Sequence, residues 1–283
     1  MGQMGAGMRV VAVFGGGGAK AVAHVGAHRA LVEAGLAPCH YVATSFGAVM
    51  AAALGAGTSE DALTAQLLAP AHGNIAAIDP IAILKGVFAD HLIKPGPLRA
   101  LIARLVPATR FAELRIPLTV TATDLDSGAM VVFGAGHDAT APLHDVLYAS
   151  CALPVYLPAA VLGGRRLGDG GLRAVLPLEP AKAIPADLVV AVHTGPGFDE
   201  PPLPPTRLPR FPPALIRAHG TAERILMAAQ VEHAIADWPK GAARLVVVRA
   251  VKEREATFAV GNAKRYIEAG YEATKRAIRL SVC

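Results

Sequence analysis

Cysteine, aromatic side chains and charge are all scarce in this 283-residue chain. The three cysteines, Cys39, Cys151 and Cys283, are odd in number and far apart. They offer neither a disulfide framework nor a CxxC metal or redox pair, and they fit a reducing compartment. Aromatics make up 5% of the residues and no basic run is interleaved with them, so the net charge of +5 does not read as a nucleic-acid surface. A weak attraction to anionic membrane surfaces suits it better. Charged residues are only 17% against 53% hydrophobic, which excludes disorder and a solenoid of charged helices. A membrane span is not expected either. Ala34 to Ser59 has no Asp, Glu, Lys or Arg, but Pro38, His40 and four glycines divide it. Met1 to Arg9 lacks the basic-then-apolar order of a secretory signal.

What the chain does have is apolar runs ended by glycine. Val10 to Phe14 reads as a buried parallel strand, followed by four glycines and a helix over Ala19 to Ala34. Tyr41 to Thr44 is a second strand and Phe46 to Leu54 a very apolar helix. Ser59 to Leu68 is a third helix, with Thr58 as N-cap. Strand, turn, helix, strand, turn, helix predicts right-handed βαβ units in an α/β fold, a mainly parallel sheet with helices on both faces. Pro97 to Leu105 reads as a helix, Pro117 to Asp124 and Ala129 to Phe133 as a hairpin, and Leu188 to His193 as a strand. Gly195 to Pro213 holds eight of the 22 prolines and reads as an extended surface loop. Ala214 to Trp238, Arg244 to Arg249 and Gly261 to Leu280 come next as helix, strand and helix. One domain is expected over 10–283, with its motifs in 10–195 and a cap made from Ile75 to Pro95 and Gly195 to Pro213.

Three strand-to-helix or tight turns carry the chemistry. Gly15 to Gly18, then Ala19, Lys20 and Ala21, bring backbone N–H groups close to an anion at a helix N-terminus. The loop lacks GK[ST], and no acid ends the second strand, so neither a P-loop nor a dinucleotide site fits well. Ala43-Thr44-Ser45-Phe46-Gly47 places Ser45 on an elbow where a helix dipole favours an alkoxide; the bland alternative is an N-cap serine. The two turns are expected to open at one sheet edge, one supplying a nucleophile and the other oxyanion donors. Leu167 to Gly171 reads as a tight turn holding one carboxylate, Asp169.

Together these pieces resemble the patatin-like phospholipase family. The resemblance rests on the glycine loop with Ala19-Lys20, the elbow at 43–47, and Thr123-Asp124-Leu125 with Gly128 before Val131-Val132-Phe133. Ala149-Ser150-x-Ala152-x-Pro154 with Pro158, the Asp169-Gly170-Gly171 turn, and Gly270-Tyr271 near the end complete it. It covers about residues 10 to 195. It implies a three-layer α/β fold and a serine hydrolase acting on acyl esters of lipids through a Ser–Asp dyad, with no metal or organic cofactor. It makes Ser45 the nucleophile, Asp169 the base, and the Gly16, Gly17 and Gly18 backbone the oxyanion hole, supported by Lys20, Gly47, Gly170 and Gly171. It further implies a lipid or acyl-ester partner, and the few cysteines and the net positive charge lead to the expectation of a cytoplasmic protein in peripheral contact with membranes. The chain departs from the family pattern at Ala43 and Ala21, where the family has glycine.

Two other patterns have plainer readings. His24 and His28 are spaced to share a metal but lack a third ligand, so helix packing is expected. Asp124, Asp126 and Gly128 evoke a calcium loop without the further oxygen ligands such a loop needs, so a hairpin turn is expected. Leu203, Leu208 and Phe211 in the proline segment are candidate lipid contacts, with ordinary packing of a surface loop as the plainer reading. Two alternatives to the hydrolase stand beside it: an acyltransferase pairing its serine with a histidine, and a catalytically silent lipid-binding protein.

Overall fold

The computed structural model describes residues 8–69, 77–85, 88–197, 214–251 and 262–282. The proline-rich segment from 198 to 213, with Leu203, Leu208 and Phe211, lies outside the described residues, as do parts of the expected Ile75 to Pro95 cap. In chain order the strands are β1 (Val10–Phe14), β2 (Pro38–Thr44), β3 (Leu118–Asp124), β4 (Met130–Gly134), β5 (Ala160–Leu162), β6 (Arg165–Asp169), β7 (Leu188–His193) and β8 (Arg244–Arg249). The helices before β3 are α1 (Ala23–Glu33), α2 (Phe46–Gly55), α3 (Glu60–Leu68), α4 (Pro80–Lys85) and α5 (Pro95–Leu105). Those after β4 are α6 (Leu143–Cys151), α7 (Gly171–Ala174), α8 (Leu178–Lys182), α9 (Ala214–Ala236) and α10 (Ala263–Val282).

The strands form one eight-stranded sheet in the order β5-β6-β3-β2-β1-β7-β8, with β4 also paired to β3. The run from β3 through β2, β1 and β7 to β8 is parallel, and β4, β5 and β6 join antiparallel. The expected three-layer α/β architecture is therefore present. Alternation along β1 shows why. Val10, Ala12 and Phe14 enter an apolar cluster with α1, α2, α5, α6 and α10, while Val11 and Val13 enter a second cluster with Val175 and Leu176 after α7, with α8 and with Val231 of α9. Every residue of α2 is buried, which accounts for the absence of charge from Phe46 to Gly55.

Several boundaries differ from the expectation for physical reasons. The first helix begins with a 3₁₀ turn, Ala19–Val22, before α1. Ser59 rather than Thr58 caps α3, its side chain accepting the Ala62 amide, an interaction of about 1 kcal/mol. Asp169 is not in a turn but ends β6. The β5–β6 hairpin is closed by Gly163 and Gly164, both at positive φ (56° and 76°), the combination a two-residue type I′ turn requires.

Helices α1 and α10 cross at glycines. A Cβ at Gly26 would lie 1.8 Å from the Ile267 carbonyl oxygen, and one at Gly270 would lie 2.0 Å from that of Ala23. Both contacts are with backbone, which cannot swing away. Gly26→Ala is accordingly expected to lower stability by about 1–3 kcal/mol in urea unfolding through overpacking. Gly96→Ala in α5, where no atom lies within 4 Å of the new methyl, should be neutral or stabilising by up to about 1 kcal/mol.

Candidate active site

Ser45 and Asp169, far apart in sequence, meet because β2 and β6 end against each other. Thr121 of β3 pairs with Thr44 on one side and Val132 on the other, and the next residue, Ala122, pairs with Asp169 and Val131. A strand residue has only two edges, so β2 and β6 occupy the same edge of β3, one running up to Thr44 and the other down to Asp169. The residue after Thr44 is Ser45. Its hydroxyl donates to Asp169 Oδ2 at 2.7 Å, and both residues are buried.

The backbone around this pair is held at each point. Ser45 has φ 54° and ψ −139°, a conformation that costs a non-glycine residue roughly 1–3 kcal/mol and holds the hydroxyl at the mouth of α2. The Ser45 amide donates to Ser150 Oγ at 2.8 Å, and that hydroxyl donates to the Thr121 carbonyl at 2.7 Å. Thr44 and Thr121 are joined through their hydroxyls. Thr123 Oγ1 donates to the Asp169 carbonyl, and the Asp169 amide donates to Ala152 O. A Cβ at Gly170 would lie 2.3 Å from Thr121 O, and one at Gly47 2.4 Å from Gly15 O, so both sites require glycine.

The glycine loop lies beside the elbow because β1 neighbours β2, Phe14 pairing with Ala43. A Cβ on Gly16 would fall 3.2 Å from Ser45 Cβ. The loop carbonyls are tied away from the serine. His24 Nε2 meets Gly15 O at 2.8 Å, and Thr194 Oγ1 donates to Gly16 O at 3.2 Å. The amides of Gly15 and Gly16 donate to Val192 O and Val175 O. The Gly16 amide is thus committed to the fold, which corrects the expectation that it lines an oxyanion hole; Gly17 and Gly18 are the loop's candidate donors. Gly18, at φ 57° and ψ −135°, repeats the shape of Ser45. Lys20 is wholly buried, with Nζ 3.5 Å from Gly195 O. Ala21 and Ala43 are fully buried in the same core, their methyls absorbed with the elbow intact.

Burial dominates the electrostatics. It raises the Asp169 carboxyl to about 7, against the hydrogen bonds from the Gly171 amide and Ser45, and the Glu223 carboxylate adds to the rise. Burial also pushes up the neighbouring Cys151 thiol, which stays protonated. His24, stacked on Phe14 at 4.4 Å, is lowered to about 4 by burial and remains neutral. Among the described residues no histidine is hydrogen-bonded to Ser45 or Asp169.

The residues read as metal-ligand candidates have other partners. His24 pins the glycine loop, and His28 Nδ1 bonds the Tyr41 hydroxyl at 2.7 Å while Nε2 faces Glu60. Asp124 Oδ1 accepts the Asp126 and Ser127 amides and so caps the β3–β4 turn. Sequence reasoning gave no role to Thr121, Thr194 or Glu223. Only Thr194, just past the end of an apolar strand, hinted at a site.

The Patatin-like phospholipase family model matches residues 12–182. An uncharacterized NTE family protein of Mycobacterium bovis is 30% identical over 205 residues, covering 69% of this chain and 52% of that protein. Mouse patatin-like phospholipase domain-containing protein 7 is 28% identical over 191 residues, covering 67% of this chain and 14% of that protein. The chain therefore spans about half the length of the mycobacterial relative. The crystal structure of VipD from Legionella pneumophila superposes with a TM-score of 0.54 at 14% identity, over 98% of this chain and 67% of that one, a likeness of fold. With a family match over more than half its length, the chain belongs to the patatin-like phospholipase family.

Proposed function

We propose that this protein is a serine hydrolase cleaving acyl esters of lipids, of phospholipase A or lysophospholipase type, through Ser45 and Asp169. The observation that carries the reading is the 2.7 Å hydrogen bond from the hydroxyl of the strained elbow serine to a buried carboxylate. Asp169 takes the Ser45 proton as Oγ attacks the ester carbonyl. The Gly17 and Gly18 amides hold the oxyanion, assisted by the helix termini. The proton then passes to the leaving alcohol, and water, deprotonated by Asp169, releases the acyl group. A carboxylate is a weak base in water; burial gives Asp169 a proton affinity suited to neutral pH. No step requires a metal or organic cofactor.

An acyltransferase with a serine–histidine pair is disfavoured, since the partner of Ser45 is a carboxylate. A silent lipid-binding protein is disfavoured because the elbow is formed despite Ala21 and Ala43. For lipid access, Ile81, Leu84 and Phe88 are largely exposed at 59%, 88% and 87%, on the segment whose Ile93 amide donates to Tyr156 O near the site. Leu215 and Leu226 of α9 are exposed as well. We infer that these residues touch a membrane surface peripherally. No helix among the described residues is long and apolar enough to cross one.

Ser45→Ala is expected to abolish both fluorophosphonate labelling and turnover of a short-chain nitrophenyl ester. Its Tm should stay within about 5 °C of wild type, because the lost interaction is of the order of a cap. Substantial activity in a pure preparation would refute the assignment.

Two signs follow from the raised Asp169 carboxyl. Its ionised form is the base, so kcat/KM should climb with pH through a midpoint near 7. Its folded value lies above the ordinary carboxylate value, so the folded state holds the extra proton between about 4 and 7, and this group's contribution to stability must fall as pH rises across that window. Asp169→Asn should lower kcat by about a thousandfold or more, and urea titrations should show that it loses less stability than wild type between pH 4 and 8.

A further inference from the structure

Helix α9 lies beyond the family motifs, yet one of its faces packs against the turn that follows Asp169. Gly220, Glu223, Met227 and Gln230 are spaced three, four and three residues apart and so share a face. The ends of this stripe are located by contacts. A Cβ at Gly220 would lie 3.8 Å from the Tyr156 hydroxyl, a Cβ at Gly171 would lie 3.7 Å from Met227 Cε, and Gln230 Nε2 donates to Leu172 O at 2.8 Å. Glu223, between the first two contacts, is therefore held over the space between Tyr156 and the Asp169–Gly171 turn. It is half-buried, and no lysine, arginine or histidine among the described residues lies within ion-pair distance of its carboxylate.

The groups it faces are few. Asp169, at the end of β6, and Tyr156, between α6 and β5, are both raised in part by the Glu223 charge. Arg224, its chain neighbour, acts on Tyr156 and reaches Thr221 Oγ1 at 3.5 Å. Cys151, beside Asp169, stays a neutral thiol. Asp169 therefore has a second carboxylate in its neighbourhood, on the side of Tyr156 and the Asp169–Gly171 turn. That side is where the leaving alcohol must stand, because Asp169 returns the Ser45 proton to the alcohol oxygen.

We propose that Glu223 reads the charge of the alcohol part of the substrate, so that the enzyme prefers acyl esters whose head group carries an ammonium over those with an anionic head group. The inference rests on the hydrolase reading. A partly desolvated carboxylate without a protein cation is compensated when the ligand brings one, and an anion placed there meets two like charges. Glu223 itself is raised to about 7 by burial, so the preference belongs to its ionised form and grows as pH rises through that value.

The test uses three thioesters with one acyl chain and different thiol leaving groups, which stand in for the alcohol part: S-butyrylthiocholine, S-butyryl-mercaptoethanol and S-butyryl-mercaptoethanesulfonate. At pH 8 in low salt, wild type should show kcat/KM at least about tenfold higher for the cationic than for the anionic ester, a difference of roughly 1.4 kcal/mol. Glu223→Gln should bring the two within about twofold, and Glu223→Lys should invert the order. Removing the neighbouring carboxylate should also move the midpoint of the Glu223→Gln pH profile downward, which a merely structural role would not do. Fluorophosphonate labelling of Ser45 in each variant reports that the site is folded. A cationic preference that survives Glu223→Gln in a labelled, folded protein overturns the inference and leaves the hydrolase intact. Absence of Ser45-dependent turnover on all three esters overturns both.

Discussion

The site depends on one constraint of sheet geometry: two strands ending head to head on the same edge of a third. At Thr121 and Ala122 of β3 the hydrogen-bonding partner changes from β2 to β6. One strand runs parallel and the other antiparallel, so the C-terminal ends of both arrive at the same point. Residues 45 and 169 are brought into contact by backbone pairing alone, before any side chain contributes. The polar side chains then reinforce that point. Ser150 links the Ser45 amide to Thr121 O, and Thr123 holds the Asp169 carbonyl. Gly170 is needed because the chain leaving β6 passes against Thr121 O itself. A shift of one residue in either register would turn these side chains to the opposite face and undo the pair.

The apolar layers make this arrangement chemically useful. Because α2 is wholly buried and the sheet is covered on both faces, the carboxylate of Asp169 is kept from water and its proton affinity rises toward neutrality. The same burial keeps His24 neutral, so the imidazole serves as a hydrogen-bonding strut under Gly15 O. The strain at Ser45 is sustained by this surround. Its amide, its neighbour Thr44 and the close approach of Gly47 to Gly15 O all oppose relaxation of the elbow.

Much of this was legible in the residues. Val10 to Phe14 and Leu188 to His193 are apolar through and through, as strands covered on both faces must be, and each is a strand within those bounds. The pairing of a glycine loop with a serine elbow is implicit in two successive strand–turn–helix units. What was not legible depends on long-range pairing. Leu167 to Asp169 looks like a turn because Gly168 and two further glycines dominate it locally, but pairing with β3 extends it as a strand. The true turn is the Gly163-Gly164 pair before it, a hairpin signal that the residues themselves carry. The commitment of the Gly16 amide to Val175 O cannot be read from sequence, since Val175 reaches the loop only after the chain has folded back through α7. Glu223 carries no local signal at all: it is one glutamate on a long helix.

The part of the chain after residue 182 bears on where the site begins and ends. The family match stops there, yet the glycine loop is fastened to β7 and to Thr194 just beyond it. Val192 O takes the Gly15 amide, Thr194 Oγ1 donates to the Gly16 carbonyl, and the backbone of Thr194 lies so near Gly17 that a Cβ there would come within 2.2 Å of its oxygen. α10 in turn crosses α1, the helix that leaves the loop, at Gly26 and Gly270. Ser45 and Asp169 thus come from inside the family match, while the shape of the loop that faces them is set from outside it. The motifs supply the Ser45–Asp169 pair, and the later strand and helices determine how closely the loop approaches Ser45 and which side chains lie near the Asp169–Gly171 turn. If the proposed activity holds, its substrate preference is therefore to be sought in this later part, whose side chains stand outside the β2–β3–β6 junction.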